Sequence, residues 1–458
     1  MKIRAVLDPQ FRPMALETRN FNRDVAAAPH QPIAVSIVRN DGYTETMRMD
    51  VFREGDCDAR NLAYVERIVK TLLWTYGGYR IVIAGSRAIY EHIRDAYAEG
   101  GARSFDKAFM EHQYECPFEV IYLEKPDDAP ETLRCSRSTG RHLNGCRIGF
   151  DAGGSDRKVS AVVDGETVYS EEVVWHPKLS ADPDYQYQGI LDSMKTAASK
   201  MPRVDGIGVS SAGTFMNNQV RTSSLFIKVP KELYESRVKC MYLDIAREFG
   251  PDVPVEVAND GDVTALAGAM DLGANCVLGI AMGTSEAGGY VDANGNITGW
   301  LNELAFVPVD ACPEAMVDEW SGDYGCGVKY FSQDAVIKLA PAAGIELDAA
   351  LTPAEKLKAV QNLMAQGDPR AKKIYETIGV YFGYSVAYYA QFYDLEHVLV
   401  MGRVTSGEGG VLLLQRAKEV LQAEFPDLAG KVVLSIPDES SRRVGQSIAA
   451  ASLPEVPV

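Results

Sequence analysis

The chain has 458 residues, 46% hydrophobic and 24% charged, with 46 Lys and Arg against 63 Asp and Glu, a formal charge of −17. That much apolar material excludes a disordered chain and asks for two or three cores, while the acidity excludes a nucleic-acid binder, which needs a basic face to displace counterions. Eight cysteines (Cys57, Cys116, Cys135, Cys146, Cys240, Cys276, Cys312 and Cys326) form no CxxC pair. They read as reduced, mostly buried thiols of a cytoplasmic protein. No run approaches the roughly 20 apolar residues of a membrane span, so no membrane partner is expected.

In chain order, Ile33–Arg39 and Tyr43–Phe52 read as a hairpin with Asn40-Asp41-Gly42 as the turn. Leu62, Val65, Ile68, Val69 and Leu72 share one face of a helix over Asp58–Trp74. A buried strand over 77–85, a helix over 89–97 and a strand over 118–124 complete a small α/β unit that begins with strands. The polar, turn-rich stretch 125–146 marks a boundary, and Arg134, Arg137, Arg141 and Arg147 read as a solvated linker cluster.

A strand then runs into Asp151-Ala152-Gly153-Gly154-Ser155, followed by two strands about an Asp164-Gly165 turn. A helix over 187–201, a buried strand over 204–213 and a helix over 231–249 lead to a strand-to-helix junction at Val255–Asp262. The segment 276–299 repeats the opening grammar of strand, glycine turn, strand and Asn-Gly turn, which suggests two related halves. The remainder is mostly helical. Ile374–Phe392 carries Gly379 and Gly383 one turn apart for close helix packing, 397–410 is a strand with a glycine turn, and a small-residue helix closes the chain.

Three strands ending in glycine turns suit a nucleotide. A triphosphate wants backbone N–H groups close to its oxygens, and any β-carbon in the turn blocks that approach. A carboxylate beside the first turn can hold a metal, and a second can take the proton of an attacking hydroxyl.

By the order and spacing of these motifs, about two thirds of the chain, from Arg147 onward, resembles the ROK family of bacterial sugar kinases and sugar-responsive repressors. The resemblance implies an α/β, two-lobed ribonuclease H-like fold (actin/hexokinase/Hsp70) preceded by an extra small α/β domain. Its parts would be an accessory domain over 1–146, a first kinase-like lobe over 147–258 with the closing helix 438–458, and a second lobe over 259–437. Asp151, Gly153, Gly154 and Ser155 are similar to the first phosphate motif, with Asp151 on the metal, and Gly283 and Thr284 to the second phosphate loop. Gly402 falls in the adenosine turn, Asp260 matches the general base, and Asn259, Gly213, Glu303 and Glu286 are the implied sugar contacts. ATP and Mg2+ are the implied cofactors, a small-molecule sugar the partner, and a homodimer the expected assembly. The implied activity is phosphoryl transfer to a hydroxyl of a hexose or related polyol. The other reading is a non-catalytic carbohydrate-binding or regulatory protein with an eroded nucleotide site.

Four departures from the family pattern stand out. Phe306 replaces the His of the Glu-containing element and Gly322–Phe331 keeps Cys326 alone of the zinc cysteines; one thiol cannot hold tetrahedral zinc, so no structural zinc is expected. Glu286 puts a carboxylate in the phosphate loop, a repulsion of roughly 4 kcal/mol per charge pair at about 4 Å if it faces a polyphosphate. Met401 and Arg403 flank Gly402 where small residues usually let adenine lie flat, and Ala258 precedes Asn259 where Glu is frequent. The first 146 residues show neither a helix-turn-helix pattern nor a basic excess, so the DNA reader of the repressors is not expected.

Overall fold

The computed structural model describes residues 1–134, 138–437 and 439–456, with the backbone alone over 439–444. Cys135 and Arg137, both singled out above, lie outside the described residues. The chain forms two compact units, one of Met1–Cys135, Ile280–Gly288 and Trp300–Ile436, the other of Ser136–Gly279, Gly289–Gly299 and Pro437–Val458. Among the described residues no helix is long and apolar enough to cross a membrane.

In the first unit a helix, Met14–Ala26, precedes the hairpin, so the region does not begin with strands as expected. Met14, Thr18, Phe21 and Val25 are buried at helical spacing, and the Thr in that stripe, with Glu17, Arg19 and Arg23 around it, hides the apolar face from a reading of the sequence. The hairpin itself forms, His30–Val38 against Thr44–Phe52, and belongs to a sheet in the order Thr44–Phe52, His30–Val38, Arg80–Ala84, Glu119–Leu123. A further helix over Ser104–Tyr114 was not legible in the sequence.

The helix Asp58–Tyr76 is buried on every side from Arg67 onward. Trp74 packs on Phe306 with ring centroids 4.3 Å apart, the Thr71 and Tyr388 hydroxyls share a 2.7 Å hydrogen bond, and the Tyr76 hydroxyl donates to the Phe392 carbonyl at 2.6 Å. Residues 1–134 therefore share a core with the stretch 300–436. The helix Pro369–Tyr389 meets Glu408–Glu424 so closely that a β-carbon on Gly379 would stand 2.5 Å from the Leu413 carbonyl oxygen, and one on Gly383 2.6 Å from Val420.

Polar residues on Asp58–Tyr76 anchor the loop that includes Cys326. Asp323 accepts from Arg67 at 2.6 Å and sits 3.2 Å from Lys70 and 2.8 Å from Arg103, while Lys70 also reaches Asp106 at 3.3 Å and Arg103 reaches Glu66 at 2.8 Å. These three cations hold the Asp323 carboxyl far below the ordinary range in spite of its burial. Burial pushes the Cys326 thiol up to about 11.

The second unit centres on a five-stranded sheet in the order Val255–Asn259, Gly206–Ser211, Cys146–Ala152, Asp156–Val163, Glu166–Val174. The first three run parallel and the last two return antiparallel. Arg147, read above as a linker residue, is wholly buried: its guanidinium donates to the carbonyls of Pro454 and Asn144, both at 2.7 Å. The helix expected over 231–249 is broken into Lys231–Leu233, a π-turn over Tyr234–Val238 and Met241–Arg247. The break frees the Lys239 carbonyl to accept from Val220 N–H at 2.9 Å.

The closing helix Glu439–Ala451 lies on this sheet where Gly149 and Gly208 are register partners. A β-carbon on Gly149 would coincide with the Ser447 carbonyl, and one on Gly208 with the Ala450 carbonyl. Backbone cannot retreat as a side-chain tip can. Gly208→Ala is therefore expected to cost about 1–3 kcal/mol, an overpacking penalty, read as a lower urea midpoint with an unchanged slope.

Candidate active site

Asp151 stands at the end of the central strand Cys146–Ala152, with Lys158 as its partner across the antiparallel pair and Ser210 across the parallel one. Its Oδ1 accepts from the Ser210 hydroxyl at 2.8 Å and from Gln446 Nε2 at 3.2 Å, and Lys158 Nζ lies 4.0 Å from its Oδ2 and 3.1 Å from Asp156. Burial pushes the Asp151 carboxyl up to about 6 against the downward pull of Ser210 and Lys158, with the Asp260 charge adding to the rise. Two carboxylates are thus electrostatically aware of each other within this unit.

Beyond Asp151 the backbone turns through Gly153, Gly154 and Ser155. Trp175 fixes that turn: its indole N–H donates to the Gly153 carbonyl at 2.8 Å and its backbone N–H to the Ser155 carbonyl at 3.1 Å. Gly154 and Ser155 are exposed, and the Ser155 hydroxyl donates to Asp156 at 3.0 Å.

Asn259 ends the strand Val255–Asn259 and caps the helix Asp260–Leu272, its Oδ1 accepting from Gly261 N–H at 2.7 Å and its Nδ2 donating to the Gly213 carbonyl at 2.7 Å. The cap and the sharp chain reversal at Gly213 (φ 129°) are thereby tied together. Gly213 tolerates no side chain, because a β-carbon would fall on the Thr222 carbonyl. Asp260 is the first helical residue and half-buried; its carboxylate accepts from Gly261 N–H at 3.1 Å. Enclosure raises the Asp260 carboxyl above the ordinary range, opposed by that N–H and by the Lys178 charge. A carboxylate with a raised pKa at a helix start is better matched to taking a proton near neutral pH than an ordinary aspartate.

The first unit holds the other predicted residues. At Gly283 a β-carbon would have no neighbour closer than 3.8 Å, so the loop is open there, and its carbonyl is pinned by Gln333 N–H at 2.9 Å. Arg403 donates to the Thr284 hydroxyl at 2.7 Å and so ties the Gly402 turn to this loop. Gly402 (φ 100°) rests on the Met282 backbone, and Met401 is buried. Beside the turn that follows lies a cavity of about 240 Å³ lined by Lys358, Gln361, Asn362, Tyr375, Ser406 and Gly409 among others.

Glu286 is 3% exposed, with both carboxylate oxygens out of solvent, packed against Gly327 and with Tyr389 as its polar neighbour. Burial pushes its carboxyl well above the usual range, opposed by a hydrogen bond from Tyr389. Glu303 is half-buried, and its backbone N–H donates to the Trp74 carbonyl at 3.1 Å, which couples it to the helix Asp58–Tyr76.

The second unit therefore gathers Asp151, Gly153, Gly154, Ser155, Gly213, Asn259 and Asp260, and the first carries Gly283, Thr284, Glu286, Glu303 and Gly402. Gln446 and Lys178 escaped the sequence reading, and Ser210, part of the stretch Ser210–Phe215 expected to hold sugar hydroxyls, donates to Asp151 instead. Gln446 lies on a helix known only for small residues, and Lys178 follows a His-Pro turn with no pattern to flag it.

The family model described as ROK family matches residues 147–450. No curated protein sequence matches the chain. Among solved structures, a ROK hexokinase from Thermus thermophilus is 19% identical, with 67% of this chain and 97% of that one covered at a TM-score of 0.52. A ROK glucokinase from Streptomyces griseus, solved with glucose and AMPPNP, is 21% identical over 67% and 99% of the two chains (TM-score 0.46). A ROK transcriptional regulator described as a homologue of the E. coli MLC protein is 18% identical over 68% and 79% (TM-score 0.49). The likeness to the hexokinase establishes the mixed α/β, actin/hexokinase-like fold, to which the N-terminal region is an addition.

Proposed function

Because this chain belongs to the ROK family, which includes sugar kinases and regulators, we propose that it is an ATP-dependent kinase acting on a hydroxyl of a hexose or related polyol. The observation that carries the reading is Asp260: a half-buried carboxylate with a raised pKa, beside the Asn259 cap and within electrostatic reach of Asp151. In the proposed reaction the sugar hydroxyl gives its proton to Asp260 as its oxygen bonds the γ-phosphorus. Asn259, beside Asp260 in the second unit, orients a sugar hydroxyl. In the second unit the exposed Gly153–Gly154 turn offers backbone N–H groups to phosphate oxygens.

The Asp151 end fits Mg2+, a hard cation held by carboxylate oxygen and water, since it offers one carboxylate, ionised in the main at neutral pH, with hydroxyl oxygen from Ser210 beside it. When bound, the ion neutralises charge on the phosphates. The test is a coupled ADP-release assay across hexoses, amino sugars and polyols, with sugar-dependent turnover as the expected result. Absence of turnover with every sugar sinks the reading.

A second reading, carbohydrate binding or regulation without catalysis, is favoured by Arg403, whose guanidinium already occupies the Thr284 hydroxyl. Thermal unfolding with Mg-ATP separates the two. A kinase gains roughly 2.7 kcal/mol at 100 times the dissociation constant, and a protein with no nucleotide site gains nothing.

A further inference from the structure

Lys178 in the second unit stands over a glycine turn with no local partner among the described residues. Lys178 lies in the short turn Pro177–Leu179 and is exposed. Among the described residues it makes no hydrogen bond or ion pair, whereas Lys158 is committed to Asp156 at 3.1 Å and Arg157 donates to the Ser193 hydroxyl at 2.8 Å. Its turn is nevertheless built in. The buried Gln186 side chain donates to the Pro177 carbonyl at 2.9 Å, and the preceding Trp175 is the residue that fastens the glycine turn. The Lys178 side chain crosses that turn, with Cε 3.0 Å and Nζ 3.1 Å from where a β-carbon on Gly154 would stand. Its charge is also felt by the Asp260 carboxylate.

An ammonium laid over an exposed glycine turn, with no carboxylate bound to it, has donors left for a ligand anion. We propose that Lys178 binds the phosphoryl group in transfer, over Gly154, while Asp260 takes the hydroxyl proton; this rests on the kinase reading above. The sugar oxygen bonds the γ-phosphorus, the bond from that phosphorus to the bridging oxygen breaks, and its electron pair leaves with ADP. Lys178 gives up no proton and contributes charge alone. Such a contribution belongs to the transition state more than to sugar binding.

The test compares the full chain with Lys178→Met and Lys178→Arg. The Met variant is expected to lose about 10²-fold in kcat with the sugar KM within about threefold of wild type, and the Arg variant to recover at least about tenfold of the loss. An unchanged kcat, or a loss that Arg does not relieve, overturns the assignment. If wild type turns over no sugar, the kinase reading falls and titration with inorganic pyrophosphate decides alone. Binding at least about tenfold weaker in Lys178→Met sustains the phosphate site, and equal binding or none in wild type removes it.

Discussion

Asp260→Asn is expected to lower sugar-dependent ADP release by about 10²–10⁴-fold while leaving the protein folded. The amide keeps the shape of the side chain and still accepts from Gly261 N–H, so the start of the helix Asp260–Leu272 loses little. Removing a carboxylate that enclosure disfavours also removes a cost from the folded state, so the thermal midpoint at neutral pH should hold or rise. The sugar KM should change far less than kcat, since the proton moves only as the oxygen attacks. The raised Asp260 pKa also places the acid limb of the wild-type kcat/KM profile above the ordinary carboxylate range. A variant with kcat within a factor of three of wild type removes Asp260 from the base role.

The second large effect concerns stability. Asp323→Asn withdraws the shared anion from Arg67, Lys70 and Arg103, all buried. Lys70 keeps Asp106 and Arg103 keeps Glu66, but Arg67 is left with the Tyr324 carbonyl at 2.7 Å and the Tyr324 ring. Stripping one partner from a buried ionic cluster typically costs about 3–5 kcal/mol, read here as a lower urea midpoint. The pH dependence follows the same logic. Asp323 is depressed in the folded state, so its contribution is full above the unfolded Asp value of about 4 and fades as pH falls toward the lower folded one. The wild-type advantage over Asp323→Asn should therefore be flat from pH 5 to 8 and shrink below about pH 4. An advantage that persists undiminished into strong acid contradicts this account.

Those two sites differ in how legible they were. Asp151 and Asn259-Asp260 could be read because strand, glycine turn and helix start leave local marks in sequence, and the backbone obeyed them. The environment of Asp151 could not, since Ser210 and Gln446 reach it from distant segments through tertiary structure alone. Helix Asp58–Tyr76 shows the same limit from the other side. Its apolar face could be read from the sequence, but nothing local marks Arg67 and Lys70 as interior, and only partners as remote as Asp323 reveal it. Glu286 resists for a related reason: a sequence gives the carboxyl group, whereas the burial that pushes its pKa up comes from tertiary structure.

The seating of the closing helix on Gly149 and Gly208 bears on biosynthesis. Residues 439–451 leave the ribosome long after the sheet strands of 146–211, so until they arrive two adjoining bare strips of backbone stay uncovered and Asp151 lacks its Gln446 contact. The nascent chain thus passes through an interval in which the sheet is exposed to chaperones or proteases until this helix docks.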